Sequence, residues 1–310
     1  EWAEVWGRYQ ASPEGRLVNA GMTLDEFEEI FFWEYLHRLF GRLLGLAFAL
    51  PFLYFLVRRR MNRALTVRTF VAFLLGGAQG LLGWYMVKSG LADVPRVSHF
   101  RLAAHLLLAF GTAQWILWII LGLSPGRSPP EMNGSEEAKP PSRAFRHATL
   151  AFVSLLGLQI LYGAFMAGTH AGLVSATFPD MNGSYGPGAF FTAPTLFDDL
   201  LHHAPAIHYI HRVVAWLLLV GAIVLVILGR RRGEPAMAVG AALTALVALG
   251  LQFVLGVGTV MMHVPTWLAV PHQVGAFISL SCGTILVYRT WVPERPYPVE
   301  SDQSAGRGSG

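Results

Sequence analysis

Four histidines stand inside long apolar stretches of this chain: His37, His105, His211 and His272. An imidazole is costly in hydrocarbon and normally faces the interior of a helix bundle, where it finds a partner. Any one of them would serve as a helix-packing hydrogen bond. All four lie within a turn or two of the same end of their helices, which suits a different task. Two imidazoles from facing helices hold a haem iron axially, with apolar walls around the macrocycle. The pattern predicts two such sites, His37 with His105 and His211 with His272. The single cysteine, Cys282, provides neither a disulfide within the chain nor a cysteine-based zinc or iron–sulfur site. Metal chemistry therefore rests on histidine and carboxylate.

The neighbours of these histidines carry the next layer of chemistry. Arg38 and Arg212 each follow the first histidine of a pair, and Arg42 lies one helical turn beyond Arg38. Guanidinium groups there either meet haem propionates at the outer surface or snorkel to the interface. Glu34 precedes His37 by three residues on the same helical face, whereas His208 holds that place before His211. A carboxylate one turn from an axial ligand can take up protons or stabilise positive charge on an oxidised substrate; its other reading is an ion pair with Arg38 or Arg42. The asymmetry suggests one reactive site and one resident cofactor. Glutamine recurs with glycine four residues later at Gln79/Gly83, Gln159/Gly163 and Gln252/Gly256, a spacing that reads as repeat architecture with interhelical hydrogen bonding. His99, His170, His202, His203 and His263 fall in or near outer loops as solvated or supporting groups. Asp180, Asp198 and Asp199 are loop acids with no partner legible in the sequence.

The elements that must position these groups are set by hydropathy. Of 310 residues, 54% are hydrophobic and 14% charged, and the mean hydropathy is +0.46. That balance belongs to an integral membrane protein. Seven runs are long enough to cross a bilayer as helices, at about 31–57, 66–87, 99–122, 146–168, 206–229, 236–262 and 267–290. They are continuously apolar and do not alternate, so the fold class is all-α and not a barrel. The pI near 9.4 does not indicate nucleic acid, because the basic residues cluster in loops beside apolar runs, as in Arg58–Arg60, Arg143, Arg146 and Arg230–Arg232. Read as topology signals, they place the C-terminus inside and residue 1 outside.

An internal repeat organises the helices. Gly77/Gly250, Gln79/Gln252, Leu82/Leu255, Gly83/Gly256 and Val87/Val260 match at one constant offset, and His37-Arg38 keeps nearly that offset from His211-Arg212. The reading is two parallel four-helix bundles, the first with its opening helix expected upstream of residue 1. The divisions predicted are an external segment at 1–30, an N-terminal half-bundle at 31–123, an inside linker at 124–145, a C-terminal bundle at 146–291 and an inside tail at 292–310.

Together the strings Trp33-Glu34-Tyr35-Leu36-His37-Arg38, GLLGWYMVKSGL at 80–91, PRVSHFRLAAHL at 95–106, GTHAGLVSATFPDMNG at 168–183 and PHQVGAF at 271–277 resemble the haem A synthase family, in the form without an external cysteine pair. The resemblance runs from about residue 1 to 290. It implies oxidation of the C8 methyl of haem O to a formyl group by two successive oxidations, for assembly of haem–copper cytochrome oxidase. It also implies that His37 and His105 hold the substrate haem O, that His211 and His272 hold a resident haem b, and that Glu34 is the catalytic acid of a Glu-x-x-His motif. His170 stands where the family places an aspartate. The partners implied are a haem O synthase, an electron acceptor and membrane lipid, with a homo-oligomer possible and no nucleic acid. The location expected is a bacterial inner membrane in preference to a mitochondrial inner membrane. Four helix histidines alone would equally suit a two-haem b-type cytochrome that oxidises quinol, and a repeat-built transporter with a histidine proton relay is a further reading.

Overall fold

A backbone crossing hydrocarbon must satisfy every amide within its own segment, and continuous apolar runs do so as helices. A computed structural model describes residues 2–90, 97–123 and 139–292, with only the backbone at Ser89 and Gly90. Among the described residues it holds ten α-helices, two single 3-10 turns and no strand beyond an isolated bridge between Met181 and Ser184. The helices are α1 (Trp2–Gln10), α2 (Pro13–Leu17), α3 (Leu24–Val57), α4 (Arg63–Gly90), α5 (His99–Leu123), α6 (Arg143–Gly168), α7 (Leu196–Leu201), α8 (Ala204–Arg231), α9 (Ala236–Met261) and α10 (Thr266–Trp291). Seven of these, α3 to α6 and α8 to α10, are long and apolar enough to span a membrane.

The largest departure from the sequence expectation is at the first span, which starts at Leu24 and not near 31. Thr23 closes a capping box there. Its backbone N–H donates to Glu26 Oε2 at 2.8 Å while its hydroxyl accepts from the Glu26 amide at 3.4 Å, so the helix has a defined start. The preceding residues are also structured. Ser12 caps α2, Pro13 opens it, and α1 lays Trp2, Trp6 and Tyr9 against Phe27 and Phe31, with ring centroids 4.7 Å apart for Tyr9 and Phe27. Short amphipathic helices of this kind leave no long apolar run to read.

The core sits in the second half. Helices α6, α8, α9 and α10 close a ring of pairwise contacts around Phe152, Leu156, Leu218, Leu225, Leu249 and Leu286. Helix α5 leans on α6 and α10, α4 packs on α5, and α3 packs on α4. Polar bonds fasten α5 to α10: Gln114 Nε2 donates to Ser281 Oγ at 3.2 Å, and Tyr288 donates to the Leu121 carbonyl at 3.1 Å. At the other edge, the buried hydroxyls of Thr149 and Thr290 lie 3.1 Å apart between α6 and α10. The linker and tail expected at 124–145 and 292–310 fall largely outside the described residues. Ser142, however, caps α6 and its amide donates to Glu234 Oε2 at 2.9 Å, pinning the start of α6 to the α8–α9 turn.

Candidate functional site

Each of three histidines rests on the neighbouring helix that precedes it in the chain. On α4, Gln79 Nε2 lies 3.2 Å from His105 Nε2 and donates to the His105 carbonyl at 3.1 Å. On α6, Gln159 Nε2 lies 3.2 Å from His211 Nε2. On α9, Gln252 Nε2 lies 3.0 Å from His272 Nδ1 and donates to the His272 carbonyl at 2.8 Å. The glycine one turn later brings the ring close. A methyl group would stand 2.9 Å from His105 Cε1 at Gly83, 3.3 Å from His211 Cε1 at Gly163 and 2.8 Å from His272 Cε1 at Gly256. The interhelical bonding expected of these glutamines is present, and the partner in every case is a histidine, which helix spacing alone does not reveal.

The histidines of each predicted pair feel one another's charge. His211 lies within electrostatic reach of His272, and His105 within reach of His37. Nδ1 of His105 and Nδ1 of His211 are buried without a hydrogen-bond partner. An orphaned ring nitrogen in an apolar bundle is costly unless a bound group takes it up. Buried imidazole nitrogens with nothing to bond fit axial ligation of the metal of a flat macrocycle. His37 is exposed on α3, and no glutamine–glycine pair faces it among the described residues.

The residues that flank His37 and His211 differ in their chemistry. Beside the first, Arg38 Nη2 donates to Glu34 Oε1 at 3.1 Å, an ion pair with both side chains about half exposed. Glu34 is therefore engaged by Arg38, one of the two partners the sequence offered it. Arg42 is exposed and has no ion pair among the described residues. Glu14 on α2 is part-buried nearby. Burial first, and the Glu34 charge second, push its carboxyl above the usual carboxylate range.

In the second half the equivalent pair is His208 and Arg212. His208 is fully buried and accepts from Arg212 Nε at 2.9 Å, so its Nε2 carries a lone pair and the ring is neutral. Arg212 also donates through Nη1 to the carbonyls of Thr177 and Asp180, both at 2.8 Å, and through Nη2 to Ser175 O at 3.4 Å. Of the five N–H groups of a guanidinium, at most one is left over. Expected at a propionate or the interface, this arginine chiefly clamps the loop between α6 and α7.

That loop also accounts for the acids. Asp180 Oδ2 accepts from the Gly183 amide at 2.6 Å and from Thr177 Oγ1 at 3.0 Å. These bonds, the Gly183 amide foremost, hold its carboxyl below the ordinary range. Asp198 closes the start of α7 with Thr195. Asp199 is buried, accepts from the Ala193 amide at 3.0 Å and pairs with His203 Nδ1 at 2.9 Å. His99 lies 2.7 Å from the Leu201 carbonyl and edge-on to Phe165 and His202, joining the start of α5 to the end of α7 and to α6.

Comparison with known proteins points one way. Residues 1–283 match the model of a family described as cytochrome oxidase assembly protein. The chain is 38% identical over 279 residues to the "Heme A synthase" of Nitrosospira multiformis, covering 90% of this chain and 76% of the relative. It is 40% identical over 288 residues to that of Anaplasma marginale strain Florida, covering 93% and 80%. It is also 40% identical over 284 residues to that of Paramagnetospirillum magneticum, covering 91% and 77%.

Proposed function

The chain belongs to the family of cytochrome oxidase assembly proteins, and from that premise we propose that it makes haem A from haem O for the assembly of cytochrome oxidase. It is an integral membrane protein with seven apolar spans among the described residues, and the relatives named above are bacterial. The observation that carries the reading is the likeness to haem A synthases along nearly the whole chain, with the paired helix histidines inside the matched region.

The finer reading assigns the halves different work. His37 and His105 hold the substrate haem O in the half formed by residues 31–123. His211 and His272 would hold haem b in the half formed by 146–291, where the orphaned His211 Nδ1 fits it. When bound, haem b supplies one-electron transfer between substrate and an external acceptor. The chemistry at the substrate is oxidation of the C8 methyl carbon. Loss of two electrons and a proton leaves a carbon that water attacks, giving the alcohol with release of a second proton. A second round gives the geminal diol, which loses water to become the formyl group. Four electrons pass to an acceptor of quinone or similar redox class, and four protons must be taken up at the outer face.

Only Glu34 offers a carboxylate one turn from an axial ligand, so it is the group assigned to those protons or to charge on the oxidised carbon. Arg38 already sits on one of its oxygens, and Arg38 and Arg42 are assigned to propionates at the same end. In the other half His208 is neutral and buried, with its lone pair taken by Arg212, which suits a site that retains its group unchanged. The C-terminus is assigned to the inside face, and a haem O synthase is the partner expected to deliver the substrate.

The test is to express the protein together with a haem O synthase, extract the haems and separate them by reversed-phase chromatography. Haem A is expected. Haem b and unconverted haem O alone, from folded protein with a normal Soret band, would overturn the reading in favour of a two-haem electron-transfer cytochrome.

A further inference from the structure

We propose that Gln79/Gly83, Gln159/Gly163 and Gln252/Gly256 are positioning residues, each pair fixing the ring of the axial histidine on the next membrane-length helix. The inference rests on the reading of these histidines as haem ligands and adds what sets their orientation. A residue and the one four places on share a helix face, so each glutamine and its glycine form one surface one turn tall. The glycine removes the Cβ that would hold the imidazole off, and the ring edge lies against bare backbone. The glutamine amide then fixes rotation. On α4 and α9 a single Nε2 bonds the histidine's own carbonyl and reaches its ring, at 3.1 and 3.2 Å for His105 and at 2.8 and 3.0 Å for His272. A group that ties a side chain to its own backbone restrains both side-chain torsions. Orientation of a metal-binding imidazole by a second residue is a general means of tuning affinity and ligand strength.

The alternative for a Gln-x-x-x-Gly surface is ordinary close helix packing. Three observations separate the two. The atom nearest each of these glycines is an imidazole carbon and not an opposing helix backbone. Other glycines on the same helices, Gly76, Gly80, Gly157 and Gly250, have open space where a methyl group would go. The fit is also graded: tightest at Gly256 with 2.8 Å, next at Gly83 with 2.9 Å, loosest at Gly163 with 3.3 Å.

The experiment uses the purified, haem-loaded protein and its Gly256→Ala, Gly163→Ala, Gln252→Leu and Gly250→Ala variants. The low-spin ferric signal in electron paramagnetic resonance reports the relative orientation of the two axial imidazole planes, and haem transfer to excess apomyoglobin reports retention. Gly256→Ala and Gln252→Leu are expected to shift the largest g value and to speed haem transfer by about tenfold or more. Gly163→Ala should have a smaller effect, and Gly250→Ala should match wild type in both. If Gly256→Ala does not accumulate, Gln252→Leu decides, because it removes the amide without adding bulk at the ring. Wild-type g values and transfer rates in haem-loaded Gly256→Ala or Gln252→Leu would overturn the proposal. Failure of the underlying reading looks different: haem content would then be unchanged in His272→Ala.

Discussion

At the scale of single residues, the contrast between Glu34–Arg38 and His208–Arg212 decides most. Both are pairs four residues apart straddling a helix histidine, but one is a half-exposed ion pair and the other a buried neutral hydrogen bond. Glu34→Gln keeps size and hydrogen bonding to Arg38 while removing the charge. It is expected to lower haem A formation by about 10²-fold or more with haem content intact, which extraction of the haems measures; conversion at the wild-type rate would remove the carboxylate from the mechanism. Asp180 gives a pH-dependent effect. Its folded-state pKa lies below the unfolded value of about 3.9, so its contribution to the loop is complete above that value and fades as pH falls through the folded pKa. Amide exchange in residues 175–184 should rise over that acid range, and in Asp180→Asn it should be elevated already at neutral pH. Exchange in the wild type that ignored pH once corrected for intrinsic rates would contradict this. The roles of Arg212 and Asp180 were not legible in sequence, because the loop carbonyls and amides they bind carry no side-chain signature.

At the scale of elements, the spans announced themselves. Continuous apolar runs fixed six of the seven helix starts to within a few residues. The exception, α3, begins early because the capping box of Thr23 and Glu26 acts on a polar stretch that hydropathy treats as outside. The glutamine–glycine spacing was visible, but its partner was not: a 3.6-residue period tells which residues share a face and not what stands opposite. Between α6 and α10, the buried Thr149 and Thr290 hydroxyls form one such interhelical contact. Thr149→Val should destabilise the protein by about 0.6 kcal/mol, the usual size of an interhelical hydrogen bond in a membrane protein. Thermal unfolding in detergent checks it, and a loss several times larger would mean that the bond holds more than the two helices it joins.

At the scale of the whole molecule, the proposed division of labour lies between two histidine pairs in one helical protein, at the same membrane face. Orientation is testable because Cys282 is the single cysteine. In a Cys282→Ser background, Gly186→Cys on the outer loop should react with an impermeant maleimide in intact cells and Arg232→Cys should react only after lysis. The reverse pattern would invert the topology read from the arginine clusters. The most direct test of the central claim compares His37→Ala, His105→Ala, His211→Ala and His272→Ala by haem extraction after co-expression with a haem O synthase. Variants of the first pair are expected to retain haem b and form no haem A, while variants of the second pair lose haem b. Haem A still formed without His37 or His105, or haem b lost to the same extent from all four, would contradict the division of labour.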